Sequence, residues 1–281
     1  MPLLPSTAQR TTTADECCSV KPISANEATM RFAAFASDGA FRFQHDEPLN
    51  TPPMLALKGK TLVVKSTDGK ECFAYDTAPQ AASSGKAVLF VLHEWWGLND
   101  HIKQESDMLA ETLGVRVLAL DLYDGKVATT RDSAAKYMQS CSPERAKAII
   151  SAFVGAVGTQ TRIGTIGWCF GGGWSHQATL LLGKQGAACV IYYGMPETDP
   201  AKLATQSAPT LGIFAKQEKW ISPEVVAKFE TAMKTAGKPL EIKTFDADHG
   251  FANPSNPKHN KEYTEQARAL VVEFFKKHLL Q

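Results

Sequence analysis

Short, continuously apolar runs separated by longer amphipathic stretches constrain this chain more than any other feature. Residues Ala87 to Leu92 read Ala-Val-Leu-Phe-Val-Leu. Similar runs cover Val115 to Leu120, Ile163 to Gly167, Cys189 to Tyr193, Thr210 to Phe214 and Glu241 to Phe245. A strand with one wet face alternates polar and apolar residues, whereas an unbroken apolar run suits a strand covered on both faces. Helical periodicities fall near 101–113, 143–157, 171–183, 222–236 and 262–279. Asp100 is the expected N-cap of the first, and Ser222 followed by Pro223 opens the fourth. Thr61 to Lys65 and Cys72 to Tyr75, joined through Thr67-Asp68-Gly69, read as a hairpin. The alternation predicts an α/β fold with a mostly parallel sheet and helices on both faces. Functional residues in such folds gather at the carboxyl ends of strands.

The 281 residues suffice for one such domain without metal or disulfide staples. Residues 1–53 are weakly periodic, with Pro2, Pro5, Pro22 and Pro48, and form an N-terminal extension ending at Asn50-Thr51-Pro52-Pro53. Residues 54–281 form the domain, and deletion of residues 1–50 is expected to leave it folded and active. Lys plus Arg number 30 against 29 Asp plus Glu. That balance offers no basic face to nucleic acid and no polybasic anchor to a membrane. No apolar run reaches the length of a membrane span, and no secretory signal pattern opens the chain. A small-molecule substrate and a cytoplasmic location are the expectations. The six Cys (17, 18, 72, 141, 169 and 189) show no CxxC spacing, so no zinc site is expected from them.

Gly167-Trp168-Cys169-Phe170-Gly171 lies between a buried run and a helical pattern. This is a nucleophile elbow, G-x-C-x-G, with Cys in place of Ser. The turn is sharp, and side chains at Gly167 or Gly171 would strike neighbouring backbone. The helix N-terminus behind Cys169 favours thiolate. A buried structural thiol is the bland alternative, and the strand-turn-helix context argues against it.

In this architecture acid and base follow the nucleophile on loops after later strands. His249, in Asp246-Ala247-Asp248-His249-Gly250-Phe251, sits just beyond the last run and is the expected base. The other six His fit less well: His45 and His93 precede the nucleophile, and the rest fall in helical or polar tail segments. Glu218 is the sole carboxylate on the loop after Thr210 to Phe214 and is the expected acid, with Asp199 as runner-up. Glu94 ends a buried run beside Gly97, where a low dielectric gives a carboxyl reason to hold or accept a proton. All five Trp (95, 96, 168, 174 and 220) lie close to these segments and suggest an aromatic-lined pocket.

His93-Glu94-Trp95-Trp96-Gly97-Leu98-Asn99, the elbow Gly-Trp-Cys-Phe-Gly-Gly and the late Asp-His-Gly-Phe resemble the dienelactone hydrolase (carboxymethylenebutenolidase) family, over roughly residues 55–281. The resemblance implies an α/β-hydrolase fold and a Cys–acid–His triad of Cys169, Glu218 and His249. Family members carry Asp where this chain has Glu218. It further implies that Glu94 accepts a hydrogen bond from the resting thiol and takes its proton when substrate arrives. The backbone N–H groups of Trp95 and Phe170 would form the oxyanion hole. Enzymes of the family that act on dienelactone itself use Arg to hold the substrate carboxylate, one of them four residues after the His; here that place is Asn253, with Arg131 as a further candidate.

The expected function is therefore hydrolysis of an ester or lactone through a thioester acyl-enzyme, with no metal or organic cofactor. A general esterase or thioesterase on another acyl group is the enzymatic rival. A hydrolase-fold binding protein that has lost turnover is the rival of another class, and a redox-sensing thiol protein a third.

Overall fold

The computed structural model describes residues 28–45, 56–79 and 86–281. Cys17, Cys18 and the Pro52-Pro53 junction lie outside the described residues. Eight strands form one sheet: β1 (Lys60–Lys65), β2 (Glu71–Thr77), β3 (Ala87–Leu92), β4 (Arg116–Leu120), β5 (Arg162–Trp168), β6 (Gly186–Tyr192), β7 (Thr210–Ala215) and β8 (Leu240–Phe245). Their spatial order is β1-β2-β4-β3-β5-β6-β7-β8. β1 and β2 pair antiparallel, β2 meets β4 antiparallel, and every pairing from β4 to β8 is parallel. All eight strands and their hairpin were legible in the sequence. The β1–β2 turn closes through Gly69, whose φ of 80° is readily reached only without a Cβ.

Helices follow the strands: α3 (Asp100–Leu113), α4 (Arg131–Ser140), α5 (Pro143–Val157), α6 (Phe170–Leu182), α7 (Pro200–Leu203), α8 (Pro223–Thr235) and α9 (Lys261–His278). Two neighbours on β5 show that they lie on both faces. A Cβ on Gly164 would come within 2.9 Å of Leu279, just beyond α9. The next residue, Thr165, hydrogen-bonds Ser175 and Thr179 of α6. Successive strand residues point to opposite faces, so α6 and α9 flank the sheet from opposite sides. The first of these helices is capped by Asn99, whose side chain accepts from the Ile102 N–H, and Asp100 is its first residue rather than its cap. Asp100 instead pairs with Lys103. Helix α4, which the sequence reading did not pick out, is short and begins with a capping box between Thr130 and Ser133.

The extension contributes α1 (Ala28–Ala34) and α2 (Gly39–Gln44), joined by a single 3₁₀ turn. Helix α1 packs on α6, and both α1 and α2 pack on α4. Ala28, Phe32, Ala36 and Phe41 are buried in the same core as the sheet. Phe32 and Phe41 meet edge to face at 5.4 Å, and Phe41 continues onto Trp95 and Trp220. The described part of the extension is thus wrapped on the domain and shares its apolar core.

Two fully buried histidines tie loops together in their neutral form. His93 follows β3; its Nε2 accepts from the Leu122 N–H beyond β4, leaving Nδ1–H to donate to the Glu94 carbonyl. His176 on α6 accepts at Nδ1 from the Glu197 N–H and donates from Nε2 to Gln206. Burial pushes His93 below the usual imidazole range and His176 down to about 4. A folded-state pKa below the unfolded value means that the unfolded chain binds more protons in acid. The stability from a neutral His176 is present above 6.5 and is lost as pH falls toward 4. It should remove about 2 kcal/mol between pH 7 and pH 5. Urea midpoints at the two values test this: His176→Gln should show a smaller acid loss than the parent, and equal losses would refute the assignment.

Candidate active site

The site forms where β5 ends and α6 begins. Cys169 occupies the turn at φ 56° and ψ −119°, outside the regions that side chains favour. Its N–H donates to the Tyr192 carbonyl and its carbonyl accepts from the Gly172 N–H, which hold that conformation. A Cβ at Gly167 would fall 2.1 Å from the Gly171 carbonyl oxygen, and one at Gly171 would fall 2.1 Å from that of Leu92. Both expected elbow glycines are therefore required sterically, and β3, β5 and α6 meet at this point.

Cys169, His249, Glu218 and Glu94 converge here, all buried. His249 lies after β8, and its Nδ1–H donates to Glu218 Oε2 from the loop after β7. Its remaining nitrogen, Nε2, and Glu218 Oε1 are buried without a hydrogen-bond partner among the described residues. Asp199, the runner-up acid, instead caps α7 through the Ala201 N–H. Glu94 accepts from Asn253 Nδ2 at 2.5 Å and from the Tyr193 hydroxyl at 3.5 Å. Arg131 donates from Nε to the carbonyl of His45 at 2.9 Å. Of the five Trp, Trp95 and Trp96 line the cavity. Trp220 packs on Phe41, Trp168 stacks on Tyr192, and Trp174 packs on Phe170.

The residue that sequence reasoning set aside is His45. Its Nε2 lies 3.3 Å from Cys169 Sγ, and its Nδ1 is 2.9 Å from the Phe41 carbonyl. A carbonyl can only accept, so Nδ1 carries the proton and Nε2 accepts from the thiol. The His45 ring stacks on Trp95 at 4.4 Å and meets His249 edge-on at 4.8 Å. The sulfur's hydrogen-bond partner in this resting arrangement is thus His45 and not Glu94. A polar extension with weak periodicity gave no signal that its last described residue reaches the nucleophile. The one available hint was the Phe41-x-x-x-His45 spacing, which puts both rings on one helical face.

Burial raises the Cys169 thiol, although the facing His249 and the Phe170 N–H pull the other way. The resting sulfur is therefore neutral rather than the thiolate that its helix N-terminus alone would favour. Burial also raises Glu94, against its bonds from Asn253 and Tyr193. Burial pushes His45 well below the usual imidazole range, aided by the charge of His249. For His249 burial works downward, but the Glu218 carboxylate and the Cys169 sulfur together outweigh it and hold the ring well above the usual range. Over the sulfur the cavity is only about 20 Å³, space for one water. Its lining (His45, Glu94, Trp95, Trp96, Cys169, His249, Gly250, Asn253, Ser255 and Asn256) contains no Lys or Arg.

A parallel sheet flanked on both faces, with a strained Cys between two sterically required glycines and a His–carboxylate pair facing it, defines an α/β hydrolase. The sequence profile of the Dienelactone hydrolase family matches residues 73–279, and the chain belongs to that family. It is accordingly a hydrolase of the ester- and lactone-cleaving class. Protein usf of Aquifex pyrophilus is 25% identical over 225 residues, spanning 75% of this chain and 96% of that protein. The carboxymethylenebutenolidase homolog of Xenopus tropicalis is 32% identical over 123 residues, 42% of this chain and 49% of its own. Among solved structures, the dienelactone hydrolase-like promiscuous phosphotriesterase P91 from metagenomic libraries superposes with a TM-score of 0.68. It shares 19% identity over 78% of this chain and 98% of P91. Dienelactone hydrolase from Anabaena variabilis gives 0.56, with 19% identity over 79% of this chain and 98% of its own.

His45 shields a neutral thiol, so loosening its seat should expose Cys169. Phe41→Ala removes a fully buried ring under His45 and should cost about 3 kcal/mol of stability. Iodoacetamide should then label Cys169 several-fold faster than in the parent, read by peptide mapping under folded conditions. An unchanged rate would mean that α2 does not guard the sulfur.

Proposed function

We propose that the protein cleaves a small neutral ester or lactone through a thioester formed on Cys169, with His249 as base and Glu218 as the acid that orients it. The observation that supports this reading best is the series of strained Cys169, the buried His249 ring that faces it and the Glu218 carboxylate bound to Nδ1. Glu218 orients the ring so that Nε2 faces the cavity and stabilises its imidazolium form. One methylene longer than the family's Asp, it still reaches Nδ1. The sulfur attacks the carbonyl carbon and the thiol proton passes to an adjacent base. The alkoxide leaves as an alcohol protonated by His249, whose ring starts protonated beside Glu218; the then neutral ring is the base for water's attack on the thioester, and the thiol proton returns to the released sulfur. The N–H groups of Trp95 and Phe170 are the proposed donors to the carbonyl oxygen as it gains charge. The Phe170 N–H already pulls the Cys169 thiol's pKa downward.

Glu94 is the proposed acceptor of the thiol proton once substrate enters. Its raised pKa gives it an affinity for a proton, and His45 must yield its place at the sulfur for the substrate carbonyl to reach it. A cavity wall without Lys or Arg, with Asn253 engaged on Glu94 and Arg131 on His45, supports a neutral substrate over an anionic one.

Steady-state assays on short-chain chromogenic esters, small neutral lactones and carboxylate-bearing lactones test the reading. Cys169→Ala should lose several orders of magnitude in kcat, as removal of a triad nucleophile does, while Cys169→Ser keeps a trace. Glu218→Gln should lower kcat strongly with little change in thermal midpoint. Neutral substrates should show the higher kcat/KM. Wild-type turnover by Cys169→Ala would end the proposal, and a clear preference for the anionic lactones would overturn the substrate assignment.

A further inference from the structure

From the geometry we infer that His45, Cys169 and His249 form a binding site for a zinc-class metal ion, which closes the hydrolytic site when occupied. One ring nitrogen from each His and the Cys169 sulfur lie within 4.8 Å of one another, all buried. Tetrahedral zinc with bonds of about 2.0–2.1 Å to nitrogen and 2.3 Å to sulfur would hold an N···S pair about 3.5 Å apart. His45 Nε2 and Sγ already stand at 3.3 Å. His249 Nε2 completes the set as a buried nitrogen with no partner among the described residues.

The outer contacts of the two rings carry the inference further. A metal-binding His characteristically donates its other ring N–H to a carboxylate or a backbone carbonyl, which fixes the tautomer and aims the free nitrogen. Here His249 donates to Glu218 and His45 to the Phe41 carbonyl, one partner of each kind. Two imidazole nitrogens and a thiol, once the ion displaces their protons, form a donor set that favours zinc over magnesium or calcium. The carboxyl of Glu94 on the same cavity wall adds negative charge near the cation.

On binding, the Cys169 S–H proton, and any proton on His249 Nε2, passes to the solvent, and one S–Zn and two N–Zn bonds form. No redox change is involved. The ion occupies both the proposed nucleophile and the proposed base, so hydrolysis stops. It also ties His45, and with it α1 and α2, to the domain. Zinc thus acts as an inhibitor here and has no part in turnover. The inhibition rests on the function proposed above; the binding does not.

Cobalt(II) is the probe, added to reduced, chelator-treated full-length protein carrying Cys17→Ser and Cys18→Ser, since adjacent thiols bind soft metals by themselves. We expect one equivalent to bind with a thiolate-to-cobalt charge-transfer band and tetrahedral visible bands, both erased by zinc. Cys169→Ser should lose the charge-transfer band. His45→Ala should weaken zinc binding by at least the roughly 10–100-fold that follows loss of an outer-shell partner. His45→Phe, which preserves the aromatic packing on Trp95 and Phe41, should weaken it equally and so separates ligation from folding. Ester hydrolysis by the parent should stop on zinc addition and return with chelator. A band that survives Cys169→Ser, zinc affinity unchanged in His45→Phe, or no band at saturating cobalt would each overturn the site. Bands without any esterase activity would leave the metal site standing and count against the hydrolytic reading instead.

Discussion

The structure depends most on a close approach of three backbones. Gly171 brings the start of α6 against the carbonyl of Leu92 at the end of β3, and Gly167 brings β5 against Gly171. No side chain fits in either gap, so the elbow can neither relax nor slide without separating the two central strands. That constraint holds Cys169 at positive φ and lifts its sulfur from the sheet. It also places the sulfur beside the loops that follow β3, β7 and β8, which carry Glu94, Glu218 and His249. The strain at one residue is maintained by the packing of the whole sheet.

Much of this was legible in the sequence because it follows from local patterns. Unbroken apolar runs mark strands covered on both faces, and all eight strands were found with boundaries close to those observed. The elbow is a five-residue signal, and chain order with strand-end position singled out His249 and Glu218, which the structure joins by a hydrogen bond. What was not legible depends on distant pairs of residues. Asn253 was compared with an anion-binding position, whereas it bonds Glu94, 159 residues away in the chain. His45 was set aside for preceding Cys169, yet it meets that residue across 124 positions. No periodicity encodes such contacts. The aromatic count likewise misled, since three of the five Trp turn to packing roles.

The extension alters how the resting site is read. Without it, the sulfur would face Glu94, Trp95 and His249 alone. With it, a neutral imidazole whose own helix fixes its tautomer accepts the thiol proton as a hydrogen bond, and Trp95 braces the ring from behind. The thiol is kept neutral by burial and by a partner that cannot ionise it, because His45 itself resists protonation. A chemically quiet sulfur and a nearly filled cavity are two outcomes of one docked helix.

The lack of Lys and Arg among the described lining residues also bears on how a catalytic cycle ends. Hydrolysis of an ester or lactone releases an acid that ionises, and that anion forms beside Glu94 with no Lys or Arg among the described lining residues to retain it. A carboxylate with no guanidinium or ammonium partner in a small buried cavity is better solvated by bulk water, which favours its departure. A wall of this kind therefore favours release of the charged product and limits its inhibition of the next cycle, while the equilibrium stays that of ester hydrolysis in water.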